Sequence, residues 1–382
     1  MSKWPGKYVI GLTGNIGTGK SVVRRMLEHL GAYGIDADAL GHRVIARGAP
    51  GYKPALTTFG RYILSSDGEI NRARLGNIVF NDPEAMVLLE QIVHPYVEQA
   101  VDLMVKRAPQ AVIVVEAIKL LEANLHRYCD SIWVTYAPSD LQLSRLVKLR
   151  KMDEVEARKR IVSQPSQDNK VARARVVIKN SSTFEDTWKQ VVSAWQEYVP
   201  VKAQSEHTAP TAALPAVPQD AISVVRGSPR HSLEIADLIN RLRKPEIPLK
   251  KDDVMAAFGE KAFLLLQVGQ KNMGVIGWQV ENLVSRTTDI VIDPAVPVRQ
   301  ALPALITEME KASKDLQCEA SLVFAPPELA KQDGLWRSLG YDQRSAQSLG
   351  VLAWMEAALE SALPKTILYF KQLRVDRILR PI

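Results

Sequence analysis

The sequence predicts an α/β protein: a doubly wound parallel sheet with a phosphate-binding loop at its first strand, followed by a second, α+β unit. Three observations carry this. Four glycines crowd the stretch Gly11 to Val23, GLTGNIGTGKSVV, between a strand and a helix. Two later segments, AVIVVE from Ala111 and SIWVTYAP from Ser131, are continuous apolar runs, as parallel strands covered on both faces require. The composition breaks once, at Pro200–Asp220, where four prolines and five alanines occur without an apolar period. That stretch reads as an extended, semi-rigid linker. The expected units are residues 1–199 and 222–382, with residues 200–221 between them.

In chain order, Tyr8–Thr13 is the first expected strand, β-branched and aromatic at its start. The helix after the glycines places apolar groups of Val22 to Leu30 at helical spacing. A short apolar approach from Tyr33 ends in Asp36-Ala37-Asp38, and a helix follows. Further helices are expected at Pro83–Arg107 and Asp140–Arg150, and strands at Ala111–Val115 and Ser131–Thr135. Right-handed crossovers then place the ligand at the C-terminal ends of the strands.

The 382 residues carry a net charge of +7, with 46% hydrophobic and 24% charged side chains. No run of like charge reaches five residues, so the excess suits a small anionic ligand better than nucleic acid or a membrane surface. No apolar run approaches the ~18 residues of a membrane span. The first strand begins too early for a signal peptide to precede it. The two cysteines, Cys129 and Cys318, lie in no metal-like spacing. A cytoplasmic protein is expected; the oligomeric state is left open.

Gly14 to Ser21 fits the phosphate-loop pattern. Backbone N–H groups of Gly14, Asn15, Ile16, Gly17, Thr18, Gly19, Lys20, Ser21 and Val22 would cradle a nucleotide, with the following helix adding its N-terminal dipole. Lys20 would reach the β- and γ-phosphates, and the Ser21 hydroxyl would ligate Mg²⁺. Asp36 reads either as a strand-tip base or metal-holding group, or as the cap of the next helix. Glu116 reads either as a second strand-tip carboxylate for the metal or as a solvated strand end.

The segments LTGNIGTGKSVV, GIDADALGHRV, DGEINRARLGNIVFNDPEAMVLLEQIVHPYV and VIKNSST occur in this order. Over about residues 7–195 the chain thereby resembles the dephospho-CoA kinases. The resemblance implies ATP-dependent phosphorylation of the ribose 3′-hydroxyl of dephospho-CoA, with Asp36 as general base. It implies an acceptor-binding insertion at Asp67–Arg107 and a lid from Arg145, whose cation is carried over as catalytic. Arg72 and Arg74 read as partners for the acceptor diphosphate or as a solvated face. Two departures stand out: Val22 replaces the family's threonine, and Ile118-Lys119-Leu120-Leu121-Glu122 replaces Pro-Leu-Leu-Phe-Glu.

The second unit reads as an antiparallel meander over residues 262–296, then an amphipathic helix, a strand at ASLVFAPP, and the step GLWRSLGY. It resembles GNAT acetyltransferases without their glycine turn: Val298-Arg299-Gln300-Ala301-Leu302-Pro303 stands there instead. A bulky residue and a proline oppose close approach of a pyrophosphate. This unit is therefore expected to be a non-catalytic tether, a partner-binding module or a CoA sensor. Competing readings of the whole chain are another nucleoside or nucleotide kinase of the same fold, or a CoA-sensing binding protein.

Overall fold

A computed structural model describes residues 3–201, 203 and 222–374. The N-terminal unit is a five-stranded parallel sheet in the order β2-β3-β1-β4-β5. Its strands are β1 (Tyr8–Thr13), β2 (Tyr33–Asp36), β3 (Val112–Glu116), β4 (Ser131–Tyr136) and β5 (Val176–Lys179). Nearly every residue of β1 and β3 is buried, which is why β3 reads as an unbroken apolar run. Helix α1 (Lys20–His29) leaves the glycine loop, and α2 (Ala37–Val44) leaves β2. Between α2 and β3 stand α3 (Tyr52–Phe59), α4 (Arg72–Asn81) and α5 (Pro83–Arg107). The last is bounded as the sequence predicts and starts where the Asp82 side chain accepts hydrogen bonds from the N–H groups of Glu84 and Ala85. After β4 come α6 (Ser139–Lys148), α7 (Glu154–Val162), α8 (Gln167–Val171) and, beyond β5, α9 (Phe184–Tyr198).

The C-terminal unit is a seven-stranded sheet in the order β11-β12-β10-β9-β8-β7-β6. The expected meander is β7 (Ala262–Val268), β8 (Lys271–Glu281) and β9 (Val284–Ile292), preceded by β6 (Ile222–Arg226) and its helices α10 (Ser232–Arg243) and α11 (Lys251–Ala257). The amphipathic helix is α12 (Val298–Asp315), and β10 (Ala320–Ala325) runs parallel to β9. Short helices α13 (Pro327–Ala330) and α14 (Asp333–Ser338) lead to β11 (Asp342–Gln343), then α15 (Leu352–Ser361) and β12 (Ile367–Gln372). The chain ends in the basic stretch YFKQLRVDRILRPI, whose first four residues complete β12, antiparallel to β10. There Lys371 donates to both carboxylate oxygens of Glu310 at 2.7 and 2.8 Å, so its charge is neutralised within the fold. Residues 375–382 of that tail, and the linker reading at 200–221 apart from Pro200, Val201 and Ala203, lie outside the described residues. Among the described residues, no helix is long and apolar enough to cross a membrane.

The two units share buried contacts, which a reading of one module tethered to another did not anticipate. His29 of α1 meets the Phe258 carbonyl at 2.9 Å and stands edge-on to the Phe258 ring. Gln317 donates to the Met104 carbonyl at 2.7 Å. Arg43 of α2 donates to Glu319, a side chain with no exposed surface, at 2.9 Å. Val22, the departure in the phosphate loop, has a packing reason. A Cβ at Gly259 would stand 3.3 Å from its methyl carbon, so the position faces an apolar seam between the units.

Burial pushes the His29 imidazole down to about 4. It is neutral in the folded chain at pH 7, and so is its unfolded counterpart. As pH falls below the unfolded value near 6.5, only the unfolded chain takes up the proton, so stability is lost until about pH 4. That lowering corresponds to about 3 kcal/mol. Melting midpoints measured from pH 7 to 4.5 are expected to fall more steeply in the wild type than in His29→Gln. Parallel curves would show that this histidine does not govern the acid sensitivity.

Candidate active site

The phosphate loop has the backbone that its glycines were read to permit. Gly14, Gly17 and Gly19 have φ of 152°, 76° and 89°, values that side chains rarely adopt. At Gly19 there is no room either: an added Cβ would stand 1.9 Å from the Asn180 amide nitrogen. That amide donates to the Thr18 carbonyl at 3.0 Å. The Thr18 hydroxyl lies 2.8 Å from both the Asn15 carbonyl and the Thr135 hydroxyl. Strand β4 and the end of β5 thus fix the loop from below. Lys20 opens α1 and is buried, with Nζ 3.5 Å from the Asn15 carbonyl. Burial lowers its pKa, against the pull of Glu116 and Asp38.

Strand order brings the acidic groups together. β2 and β3 are parallel neighbours, and Asp36 pairs in register with Glu116. Glu116 is buried rather than solvated. Its Oε1 accepts the Ser21 hydroxyl at 2.9 Å, and its Oε2 accepts Arg24 Nε at 2.7 Å. Arg24 reaches Glu28 with its other arm at 2.5 Å. Asp36 holds the helix-cap position that one of its readings gave it. Its Oδ1 caps α2 by accepting the Ala39 N–H at 2.8 Å, and it stands at the strand tip beside the loop. Burial, then the Glu116 charge, raise its pKa to about 6, with Arg24 opposing. Asp38 accepts the Ile118 N–H at 3.0 Å, holding the segment that follows β3.

Oxygen donors suit a hard cation such as Mg²⁺. Because Ser21 donates its proton to Glu116, its lone pairs stay available to an ion. Among the described residues no three His, Cys, Asp or Glu side chains gather as a metal site. A cation here would draw its remaining ligands from phosphate and water, as Mg²⁺ commonly does.

The structure places the other predicted residues less uniformly. Arg145 donates to the Gly17 carbonyl at 3.1 Å and the Asn180 carbonyl at 2.8 Å, so its guanidinium grips the loop backbone. Arg74 donates to the Leu64 carbonyl at 2.6 Å, and exposed Arg72 lies 3.6 Å from Glu356. Lys119 pairs with Glu90 of α5. Sequence reasoning assigned no role to Arg24, Asn180, Gln164 or Lys170. Gln164 accepts the Ile16 N–H at 2.8 Å, and buried Lys170 donates to the Ile118 carbonyl at 2.7 Å. The quoted motif VIKNSST contained Asn180, and a polar amide directly after an apolar strand was the available signal. For Arg24 the signal was its place on the apolar stripe of α1, where a charge needs a buried partner.

Residues 8–186 match the family described as Dephospho-CoA kinase. The dephospho-CoA kinase of Carboxydothermus hydrogenoformans is 39% identical over 193 residues, which is 50% of this chain and 94% of that one. That of Geobacter metallireducens is 40% identical over 194 residues, 50% of this chain and 96% of that one. A solved GNAT-family acetyltransferase from Staphylococcus aureus is 16% identical with a TM-score of 0.32, covering 40% of this chain and all of its own.

Gly19→Ala is expected to lower nucleotide affinity by roughly tenfold or more, since the methyl displaces Asn180 and strains a left-handed residue. Gly48 also has positive φ, at 79°, but has open space around it. Gly48→Ala is the control for strain without collision. Titration calorimetry with ATP separates the two, and equal affinities would mean the Asn180 contact does not shape the loop.

Proposed function

The chain belongs to the dephospho-CoA kinase family, and from that premise we propose how its residues divide the work. The reaction is transfer of the γ-phosphoryl group of ATP to the ribose 3′-hydroxyl of dephospho-CoA, giving coenzyme A and ADP. Residues 1–199 form the kinase unit in this reading, residues 200–221 the linker and residues 222–382 a unit that does no chemistry of its own.

Loop residues Gly14 to Val22 hold the ATP phosphates through backbone N–H groups, and Lys20 places its charge on the transferring group. Mg²⁺, held by Ser21, would supply charge neutralisation between the phosphates. Arg145 supports the loop and adds positive potential beside it. Asp36 accepts the proton of the acceptor hydroxyl through Oδ2, since Oδ1 is committed to Ala39. The observation that carries this division is the side-by-side placement of Asp36 and Glu116 at neighbouring strand tips beside the loop, where Asp36 is raised to about 6, near the range a base needs.

Asp36 must be ionised to act, so kcat/KM is expected to fall as pH drops through about 6. Asp36→Asn keeps an oxygen to cap α2 but loses the base. Turnover is expected to fall roughly 10²–10⁴-fold with ATP affinity retained. Lost ATP affinity with unchanged turnover would assign Asp36 to binding or structure instead. Lys20→Ala is expected to lose most turnover even at saturating ATP. ADP release measured with dephospho-CoA, adenosine, AMP and water tests the acceptor. Stimulation by dephospho-CoA alone is the expected result, and equal rates with water would overturn it.

A further inference from the structure

The tip of the β8–β9 hairpin belongs to one unit and is buried in the other. Glu281 pairs with Val284, leaving Asn282 and Leu283 as a two-residue turn. Their φ values are 51° and 61°, the left-handed pair that such hairpins favour and that Asn and Gly supply most readily. Leucine at the second position is unusual. Its side chain is only 7% exposed and lies in the same apolar cluster as Leu40, Val44 and Met104 of the N-terminal unit.

The hairpin's backbone grips the two helices that carry the site. The Asn282 carbonyl accepts Arg43 of α2 at 2.9 Å, and the Val280 carbonyl accepts Arg25 of α1 at 2.8 Å. Helix α1 begins at Lys20, and α2 is capped by Asp36. Arg43 is held from its other side by Glu319. A cavity of about 50 Å³ is lined by Arg24, Asp36 and Arg43 together with Val280, Asn282 and Leu283, room for one or two waters. The C-terminal unit therefore forms the wall directly behind Asp36.

We propose that Leu283 and its turn are positioning residues for phosphoryl transfer: they fix α2, and with it Asp36, against the phosphate loop. This rests on Asp36 acting as the base. A short helix pinned at its end moves as a rigid body, and about 1 Å of misplacement at a reacting group is worth up to about 10²-fold in rate. The nucleotide loop is held separately by Asn180, Thr135 and Arg145. Loss of the hairpin contact should therefore lower kcat and spare the ATP KM.

The test uses the full chain with Leu283→Gly, which removes the side chain and relaxes the left-handed backbone, so the turn is retained. Turnover is expected to fall roughly tenfold or more with the ATP KM within about twofold, and Leu283→Met to restore most of it. Arg43→Lys approaches the same contact from α2 and is expected to lower kcat in the same sense. Leu305→Ala, a buried truncation in the C-terminal core, is expected to lower the melting midpoint and leave kcat unchanged. Wild-type kcat in both Leu283→Gly and Arg43→Lys, a loss confined to KM, or an equal loss in Leu305→Ala would each overturn the proposal. Asp36→Asn in the same assay separates the two readings. Full turnover there removes the base, whereas wild-type turnover in Leu283→Gly beside an inactive Asp36→Asn removes only the hairpin's role.

Discussion

Arg24 is the charge on which the rest of the arrangement depends. It lies one turn into the helix that follows the phosphate loop, almost wholly buried. Burial alone would make a guanidinium there prohibitively costly. Glu116 and Glu28 make it tolerable by accepting its two arms at 2.7 and 2.5 Å, and they raise its pKa further. In return Arg24 gives two carboxylates a partner away from water. One of them, Glu116, orients the Ser21 hydroxyl; the other, Glu28, lies at the far end of α1, where Arg226 of the C-terminal unit donates to its backbone carbonyl at 3.3 Å. Breaking such a chain at any member leaves an unpaired buried charge, which costs about 3–5 kcal/mol. Helix α1, strand β3 and the C-terminal unit are thereby tied to one another at the site.

The same charges create the chemistry. Burial does most to raise the Asp36 pKa. The Glu116 charge, one strand spacing away, raises it further, and Arg24, which also pairs with Glu116 and Glu28, opposes both. The resulting rise in pKa makes it a stronger proton acceptor, at the expense of native stability above its pKa. Loop rigidity has a different origin. Gly17 and Gly19 give the backbone its left-handed residues, and side chains from β4, β5 and α6 lock it by hydrogen bonds. A phosphate group would meet N–H donors already in place, so little ordering entropy is spent on binding.

The seam between the units mixes buried polar contacts with apolar packing. Arg25, Arg43 and Gln317 donate to backbone or carboxylate oxygens across it, while Leu283, Phe258 and Phe184 fill the interior. Buried donors of this kind favour one registration, because a shift would leave several of them unpaired. The C-terminal unit is thus held in a defined pose against α1 and α2.

By itself the sequence determined what is local. The glycine spacing and the strand and helix beside it dictate a phosphate loop, because left-handed backbone and close approach are properties of single residues. Apolar runs dictated β3 and β4, and the Asp82-Pro83 step dictated where α5 begins. The family motifs named the substrate. Only the tertiary structure decided which charges meet. Asp36 and Glu116 stand 80 residues apart in sequence and become neighbours because β3 lies between β2 and β1. Arg145 reads as a lid cation, and Arg24 and Arg43 carry no expectation, yet their partners come from the loop backbone, β3 and the second unit respectively. The burial of Leu283 was equally hidden, since a turn residue is apolar for no local reason. Its explanation lies in a surface that exists only once the other unit has folded against it.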